Sequence, residues 1–363
     1  MKTESYLLLS DGSVYPGRPL GARGVTIGEA CFDTGMTGYQ EMLTDPSFYG
    51  QVVAMTFPLA GNYGVNNEDV ESGKPWVSGF VVRECCENPS NFRSKGTLDS
   101  YLQEYGVVGI QGVDTRALTR KLRRGGGLNM AIVSGVTVDE DDLMRRLKAF
   151  TVKGSVEAVS VTEDVSYPIP NPRFRVSVLD CGYKRNIVRC LNKWGCEVVV
   201  KPYNTKAEDL VKGFDGVMLT NGPGDPADNP GVIAEIAKVM QTETPVFGIC
   251  LGHQLMALAS GFTTAKMPFG HRGGNHPVYS APDDRVFITS QNHGYAVKAE
   301  TVDPELAEIS HVNRHDNSVE GLVYKKSPAF SVQFHPEASP GPQDNAYLFG
   351  KFMELMEGGA RHA

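Results

Sequence analysis

Gly248-Ile249-Cys250-Leu251-Gly252 carries the residue best placed for nucleophilic chemistry. A cysteine between two glycines, joining an apolar run to a helix-periodic one, has the form of a nucleophile elbow. A sharp strand-to-helix turn needs small neighbours so that the backbone can pass closely. The turn is expected to push the thiol over the carboxyl edge of a sheet, with the free N–H groups of the following helix favouring the thiolate. The Leu251 N–H is also placed to receive a developing oxyanion. Taken alone, Cys250 could equally be a buried core cysteine. The flanking glycines and the junction favour the nucleophile.

A cysteine nucleophile needs a base, and the base an orienter. Phe334-His335-Pro336-Glu337 offers both. In extended backbone the side chains of His335 and Glu337 point the same way, and Pro336 is expected to enforce that extension. By itself the triplet would read as a surface turn; beside the elbow it reads as an acid holding one imidazole nitrogen while the other faces sulfur. Asn221-Gly222-Pro223-Gly224-Asp225-Pro226 follows an apolar strand, at the edge where parallel sheets bind ligands. It reads as an oxyanion or substrate loop, although its composition also suits a plain tight turn. His253 is expected to pack rather than react. His271 and His276 lie in a Gly-rich stretch with no HExxH and no carboxylate close in sequence, so no metal site is expected.

The elements that must position these groups fall into two textures. Residues 1–150 are Gly-rich with short β runs: a hairpin over Tyr6–Tyr15, then Val25–Ile27, Gln51–Phe57 and Gly79–Val82. Helices are expected near Leu98–Tyr105 and Thr115–Arg124. Residues 151–172 end in Pro168, Pro170 and Pro172, which fit neither a helix nor a central strand, and read as a linker. From residue 173 to 358 strands and helices alternate. Strands are expected at Arg175–Leu179, Glu197–Val200, Gly216–Leu219, Pro245–Ile249 and Ala329–Phe334. Ile187, Cys190, Leu191 and Trp194 mark one helix face; Ile233, Ile236, Ala237 and Met240 mark another. A strand-rich insertion spans Gly261–Val297. The fold class is therefore α/β: a mostly parallel C-terminal sheet flanked by helices, preceded by a smaller β-rich α/β domain.

The chain has 363 residues, 41% hydrophobic and 21% charged, which is globular usage for two domains. A net charge of −7 argues against nucleic acid or an anionic membrane as the main partner. No run reaches transmembrane length, and Met1–Leu9 lacks a secretory apolar region. Seven cysteines without a CxxC suit free thiols in a reducing cytoplasm.

Together these residues resemble the small-subunit family of glutamine-dependent carbamoyl-phosphate synthases. The second half resembles a class I (triad) glutamine amidotransferase through NGPGDP (221–226), FGICLGHQ (247–254) and VQFHPEASPGP (332–342). GHRGGNHPV (270–278), TSQNHGYAV (289–297), TGYQEMLTDPSFYGQ (37–51) and GVDTRALTR (112–120) carry the small-subunit likeness across the rest of the chain. Tyr295 stands where the family often has Phe, and Gly125–Met130 departs from the usual Gly-Ala-Met-Asn-Gly.

The resemblance implies a Cys250–His335–Glu337 triad. It also implies contacts to L-glutamine from Ser47, Gly222, Gly224, Leu251, Gln254, Asn292, Gly294 and Tyr295. It implies a glutaminase subunit of a carbon–nitrogen ligase in arginine and pyrimidine biosynthesis, with no cofactor or metal in this chain. The chain has no G-x-x-x-x-G-K-[ST] loop, so ATP, Mg and bicarbonate are expected on a large synthetase subunit, the implied partner. Two other readings compete with this one. An α/β-hydrolase-type cysteine hydrolase would place its acid before its histidine, and here Glu337 follows His335. A non-catalytic binding subunit is disfavoured by the intact Cys, His and Glu.

Overall fold

Strands buried on both faces are near-continuous in apolar residues, whereas edge strands alternate. Both patterns occur in the computed structural model, which describes residues 5–360 as two units that divide between Lys153 and Gly154. The first unit holds an eight-stranded mixed sheet in the order Val14–Pro16, Ser5–Leu9, Asn129–Ser134, Gly24–Asp33, Gln51–Met55, Gly79–Val81, Val108–Gln111, Arg18–Gly21. The expected hairpin is present, with Leu7 opposite Tyr15. The four strands from Gly24–Asp33 to Val108–Gln111 run parallel. Helix Leu98–Glu104 is capped by the Thr97 side chain and buries Leu98 and Leu102. Helix Thr115–Gly125 is capped by Asp114 and buries Leu118 and Leu122, against a separate cluster of core residues.

The second unit is built on a ten-stranded sheet. Five parallel strands lie at its centre, in the order Cys196–Pro202, Phe174–Asp180, Gly216–Leu219, Val246–Ile249, Ala329–Val332. Antiparallel strands Val319–Tyr324, Ala307–Asn313, Thr264–Ser280 and Arg285–Val297 extend it, the last two being the expected insertion. Helices pack on both faces, with one core cluster around Leu219, Leu255 and Leu322 and another around Phe247, Phe349 and Phe352. Leu219 registers with Gly248, and Ile249 with Val332. The loops after these three strands therefore leave from one carboxyl edge, where open α/β sheets bind ligands.

Two readings need correction. Residues 151–172 are not a free linker. The units divide at Lys153/Gly154; Ser155–Val159 is helical, and Val165–Tyr167 pairs antiparallel with Cys196–Pro202. The prolines follow a three-residue edge strand, a position they tolerate. Two helix faces are also rotated. Arg185–Lys193 buries Ile187, Val188 and Leu191 and leaves Trp194 38% exposed. Pro230–Val239 buries Val232, Ile236 and Val239, because Glu235 turns inward to accept the Ala207 N–H at 2.9 Å.

Candidate functional site

Cys250 ends the strand Val246–Ile249 and caps the helix Leu251–Ala259, at φ 53 and ψ −103. A non-glycine residue at positive φ is costly unless its surroundings enforce it. Here they do. The Cys250 N–H donates to Val332 O at 2.9 Å, and the Gly252 N–H to Thr220 O at 3.0 Å. A Cβ at Gly252 would stand 2.4 Å from Leu219 O, and one at Gly248 2.5 Å from Met256 Sδ, so both glycines are needed for close packing. The Leu251 N–H is the first of its helix and has no partner within it. The thiol sits at the carboxyl edge as expected, but it is covered: Cys250 is 2% exposed, and its Sγ donates to Asn292 O at 3.6 Å.

His335 follows the strand Ala329–Val332, and its N–H is held by Ser290 O at 2.9 Å. Pro336 does not extend the chain. The His335 carbonyl accepts the Ala338 N–H at 3.2 Å, closing a turn with proline at its second position, which its fixed φ favours. The two side chains still meet: His335 Nδ1 donates to Glu337 Oε1 at 2.8 Å. That bond assigns the proton to Nδ1. Nε2 is left as the acceptor nitrogen, with no hydrogen bond of its own.

Lys184 was not singled out in the sequence. It lies in the loop after Phe174–Asp180, at the same carboxyl edge, and its Nζ stands 2.6 Å from Glu337 Oε1. That position beyond a parallel strand was the available signal. Asn186 Nδ2 donates to the Glu337 carbonyl. Burial acts to raise the Glu337 carboxyl, but the Lys184 ammonium and the His335 ring outweigh it and hold its pKa down to about 2. Burial and Lys184 act to lower the His335 ring; Glu337 and the nearby Cys250 outweigh them and raise it to about 10. The ring is therefore built to carry a proton beside the sulfur.

The 221–225 loop is fixed from below. Asn221 Nδ2 donates to Gly182 O at 2.9 Å, and Ser155 Oγ donates to Pro223 O at 3.0 Å. A Cβ at Gly222 would stand 2.0 Å from Cys181 O and 2.7 Å from Leu251 Cδ2. Gly224 has φ +89, and its Cβ would stand 2.1 Å from Ser155 Oγ. Gln254 Nε2 donates to Tyr295 O and to Gln333 Oε1, both at 2.9 Å. The structure thus brings Gly222 and Leu251 together, Gln254 against Tyr295, and Asn292 against the thiol; Gly294 lies between Asn292 and Tyr295 on the strand Arg285–Val297. Ser47 belongs to the first unit, buried in the turn Pro46–Phe48, where the Asp45 carboxylate accepts its N–H at 2.9 Å. His253 packs as expected, with Nδ1 2.8 Å from Ser331 Oγ.

No carboxylate lies close to His271 in sequence, but the fold brings two to it. Asp316 Oδ2 lies 3.1 Å from its Nε2, and Glu320 Oε1 3.6 Å from its Nδ1. Both acids come from around forty-five residues downstream, carried in by the pairing of Thr264–Ser280 with Ala307–Asn313 and of that strand with Val319–Tyr324. Among the described residues no helix is long and apolar enough to cross a membrane.

Residues 177–355 match the family described as "Glutamine amidotransferase class-I", and residues 7–132 match "Carbamoyl-phosphate synthase small chain, CPSase domain". The carbamoyl phosphate synthase small chain of Listeria monocytogenes serotype 4b (strain F2365) is 48% identical over 358 residues, covering 98% of each chain. That of Syntrophotalea carbinolica is 48% identical over 371 residues, again covering 98% of each. That of Bacillus anthracis is 49% identical over 352 residues, covering 97% of this chain and 95% of the relative. With likeness of that depth over nearly its whole length, the chain belongs to the carbamoyl phosphate synthase small-chain family, whose members are glutamine amidotransferase subunits of a glutamine-hydrolysing ligase.

Proposed function

We propose that Cys250, His335 and Glu337 hydrolyse L-glutamine to glutamate and ammonia through a γ-glutamyl thioester. The observation that carries this reading is the buried His335–Glu337 bond of 2.8 Å, which leaves Nε2 unengaged on the side of the thiol. Before attack the thiol proton moves from its bond with Asn292 O to Nε2, giving thiolate beside imidazolium. Sulfur then bonds to the amide carbon of the glutamine side chain. The carbonyl oxygen becomes an oxyanion, received by the Leu251 N–H and by the Gly224 N–H from the loop across from it.

The imidazolium hands its proton to the departing nitrogen, which leaves as ammonia. Water enters in its place; the neutral ring takes one of its protons, and the thioester opens to glutamate and the free thiol. Glu337 keeps the Nδ1 proton in place throughout, and Lys184 keeps Glu337 ionised. Gly222, Gln254, Asn292, Gly294 and Tyr295 bind the amino acid.

Ammonia in water becomes ammonium, which is not nucleophilic. The product therefore passes to a large synthetase subunit, which joins it to bicarbonate using ATP and Mg to give carbamoyl phosphate. The test uses the two-subunit complex with Cys250→Ser, supplied with either glutamine or ammonia. Glutamine-dependent synthesis should disappear while ammonia-dependent synthesis persists. Loss of both, or retention of glutamine turnover, refutes the assignment.

A further inference from the structure

His271, His293 and Glu320 are buried, and they point a carboxylate oxygen and two ring nitrogens at one another, all within 4.8 Å. The hydrogen bonds around them decide what those nitrogens carry. The His293 Nδ1 atom lies 2.7 Å from Tyr295 O. A carbonyl only accepts, so Nδ1 holds the proton and Nε2 presents a lone pair. That Nε2 has no hydrogen-bond partner and stands 4.0 Å from Glu320 Oε1. His271 Nε2 stands 3.1 Å from the Asp316 carboxylate, which fixes its proton there. His271 Nδ1 is then an acceptor, in line with the Asn313 Nδ2 donor 3.4 Å away. The Asn313 amide orientation is itself set, because its Oδ1 accepts the His315 N–H at 2.9 Å. Glu320 accepts from Asn313 Nδ2 at 3.0 Å, Gln291 Nε2 at 2.8 Å and, more loosely, Ser318 Oγ at 3.5 Å. Two imidazole lone pairs and a carboxylate oxygen therefore converge.

We propose that His271, His293 and Glu320 bind a divalent transition metal of the zinc class. Two imidazoles and one carboxylate are a donor set such ions favour. Each ring donates its other N–H to an oxygen, Asp316 for His271 and the Tyr295 carbonyl for His293, the arrangement that fixes the tautomer of metal-bound histidines. Glu320 and Asp316 together balance a charge of two. Ligand atoms placed tetrahedrally on a zinc-sized ion stand about 3.4 Å apart. The widest gap, 4.8 Å, must therefore close by roughly 1.4 Å, which calls for rotation of both rings toward Glu320. The Asp316 side chain is 41% exposed and marks the side from which an ion enters. His293 lies between Asn292 and Gly294, so an ion held there would pin the strand whose Asn292 carbonyl faces the Cys250 thiol. The inference stands whether or not that thiol attacks glutamine.

The test uses the full chain, stripped by a chelator and titrated with zinc and then with cobalt(II) in a Cys250→Ser background. One ion per chain is expected, with cobalt d–d bands but no intense sulfur-to-metal band. Glu320→Gln should weaken binding by more than about tenfold, as loss of even an outer partner does. Crystals of the unmutated chain equilibrated with zinc give a check that needs no variant: anomalous scattering at the zinc edge should peak among the three side chains. No retained ion, a peak only at cysteines, or unchanged binding in Glu320→Gln overturns the proposal.

Discussion

Replacing Glu337 by glutamine keeps its shape and removes its charge. The Oε1 position already serves both His335 Nδ1 at 2.8 Å and Lys184 Nζ at 2.6 Å, and Oε2 has no hydrogen-bond partner. An amide oxygen at Oε1 can keep both bonds, so the geometry should survive while the field reverses. In the native protein the His335 ring is raised from 6.5 to about 10 against burial and the Lys184 ammonium, with Glu337 ahead of Cys250 among the groups that hold its proton. That difference is a preference for the charged ring on the order of 5 kcal/mol. In Glu337→Gln the opposing influences remain and the main support is gone, so the ring holds less firmly the proton that the thiol gives up, and the thiolate forms less readily. Glutamine-dependent kcat/KM of the complex should fall by ~10²–10⁴, the worth of a positioned acid–base group. Ammonia-dependent synthesis should stay level, and alkylation of Cys250 by iodoacetamide at pH 6 should slow.

The pH dependence of stability carries a sign of its own. A depressed carboxyl contributes stability above its ordinary 4.5 and loses it as pH falls through about 2. A raised imidazole contributes below 6.5 and loses it as pH rises through about 10. The stability gap between native chain and variant should therefore be widest between about pH 4.5 and 6.5 and narrow on both sides. Glutamine turnover within threefold of native, alkylation unchanged at pH 6, or a flat stability gap would refute the reasoning.

Gly222→Ala would set a Cβ 2.0 Å from Cys181 O, a backbone atom that cannot yield, so the loop bearing Gly224 must move. Glutaminase activity should drop by ~10²–10³, as when an oxyanion donor is lost, with ammonia-dependent synthesis intact in the same preparation. Phe247→Ala removes a ring stacked on Phe330 at 4.3 Å and met edge-on by Phe349 at 5.8 Å. Chemical denaturation should show a loss of ~3–5 kcal/mol. Burial, reinforced by Asp69 and Glu71, raises the Glu41 carboxyl to about 8, and its Oε2 has no hydrogen-bond partner. The folded state therefore favours the protonated acid, and ionisation erodes stability as pH climbs from 4.5 through about 8. Thermal melts should find Glu41→Gln more stable than the native chain at pH 9 and close to it at pH 5.

What could be seen in the sequence follows from how far apart the partners lie along the chain. The elbow is local. Gly248 and Gly252 are small because Met256 and Leu219 lie against them, and the strand and helix they join declare themselves within about twenty residues. His335 and Glu337 are two apart, so their meeting was legible even though Pro336 makes a turn rather than an extension. Lys184 stands 153 positions before the carboxylate it neutralises, and no spacing rule links them; only the parallel sheet, by ending both segments at one edge, makes them neighbours. The same cause hid the acids beside His271, which are delivered by strand pairing across a turn-rich stretch.

The covering of Cys250 by the Asn292 strand has this origin too. It separates two things the elbow motif leaves joined, the pointing of a nucleophile and its exposure. A motif built from glycines fixes the direction of a side chain. Whether water reaches that side chain is set by whichever later strand crosses it. Here that strand supplies a carbonyl 3.6 Å from the sulfur, and the resting thiol has an acceptor other than His335. The thiol donates to Asn292 O until substrate arrives, so substrate binding must break that hydrogen bond before the ring can accept the proton. An unreactive glutamine analogue bound without covering the sulfur should then speed iodoacetamide labelling of Cys250. Labelling that is merely blocked by every such analogue, whatever its size, would show that the Asn292 bond holds nothing in reserve.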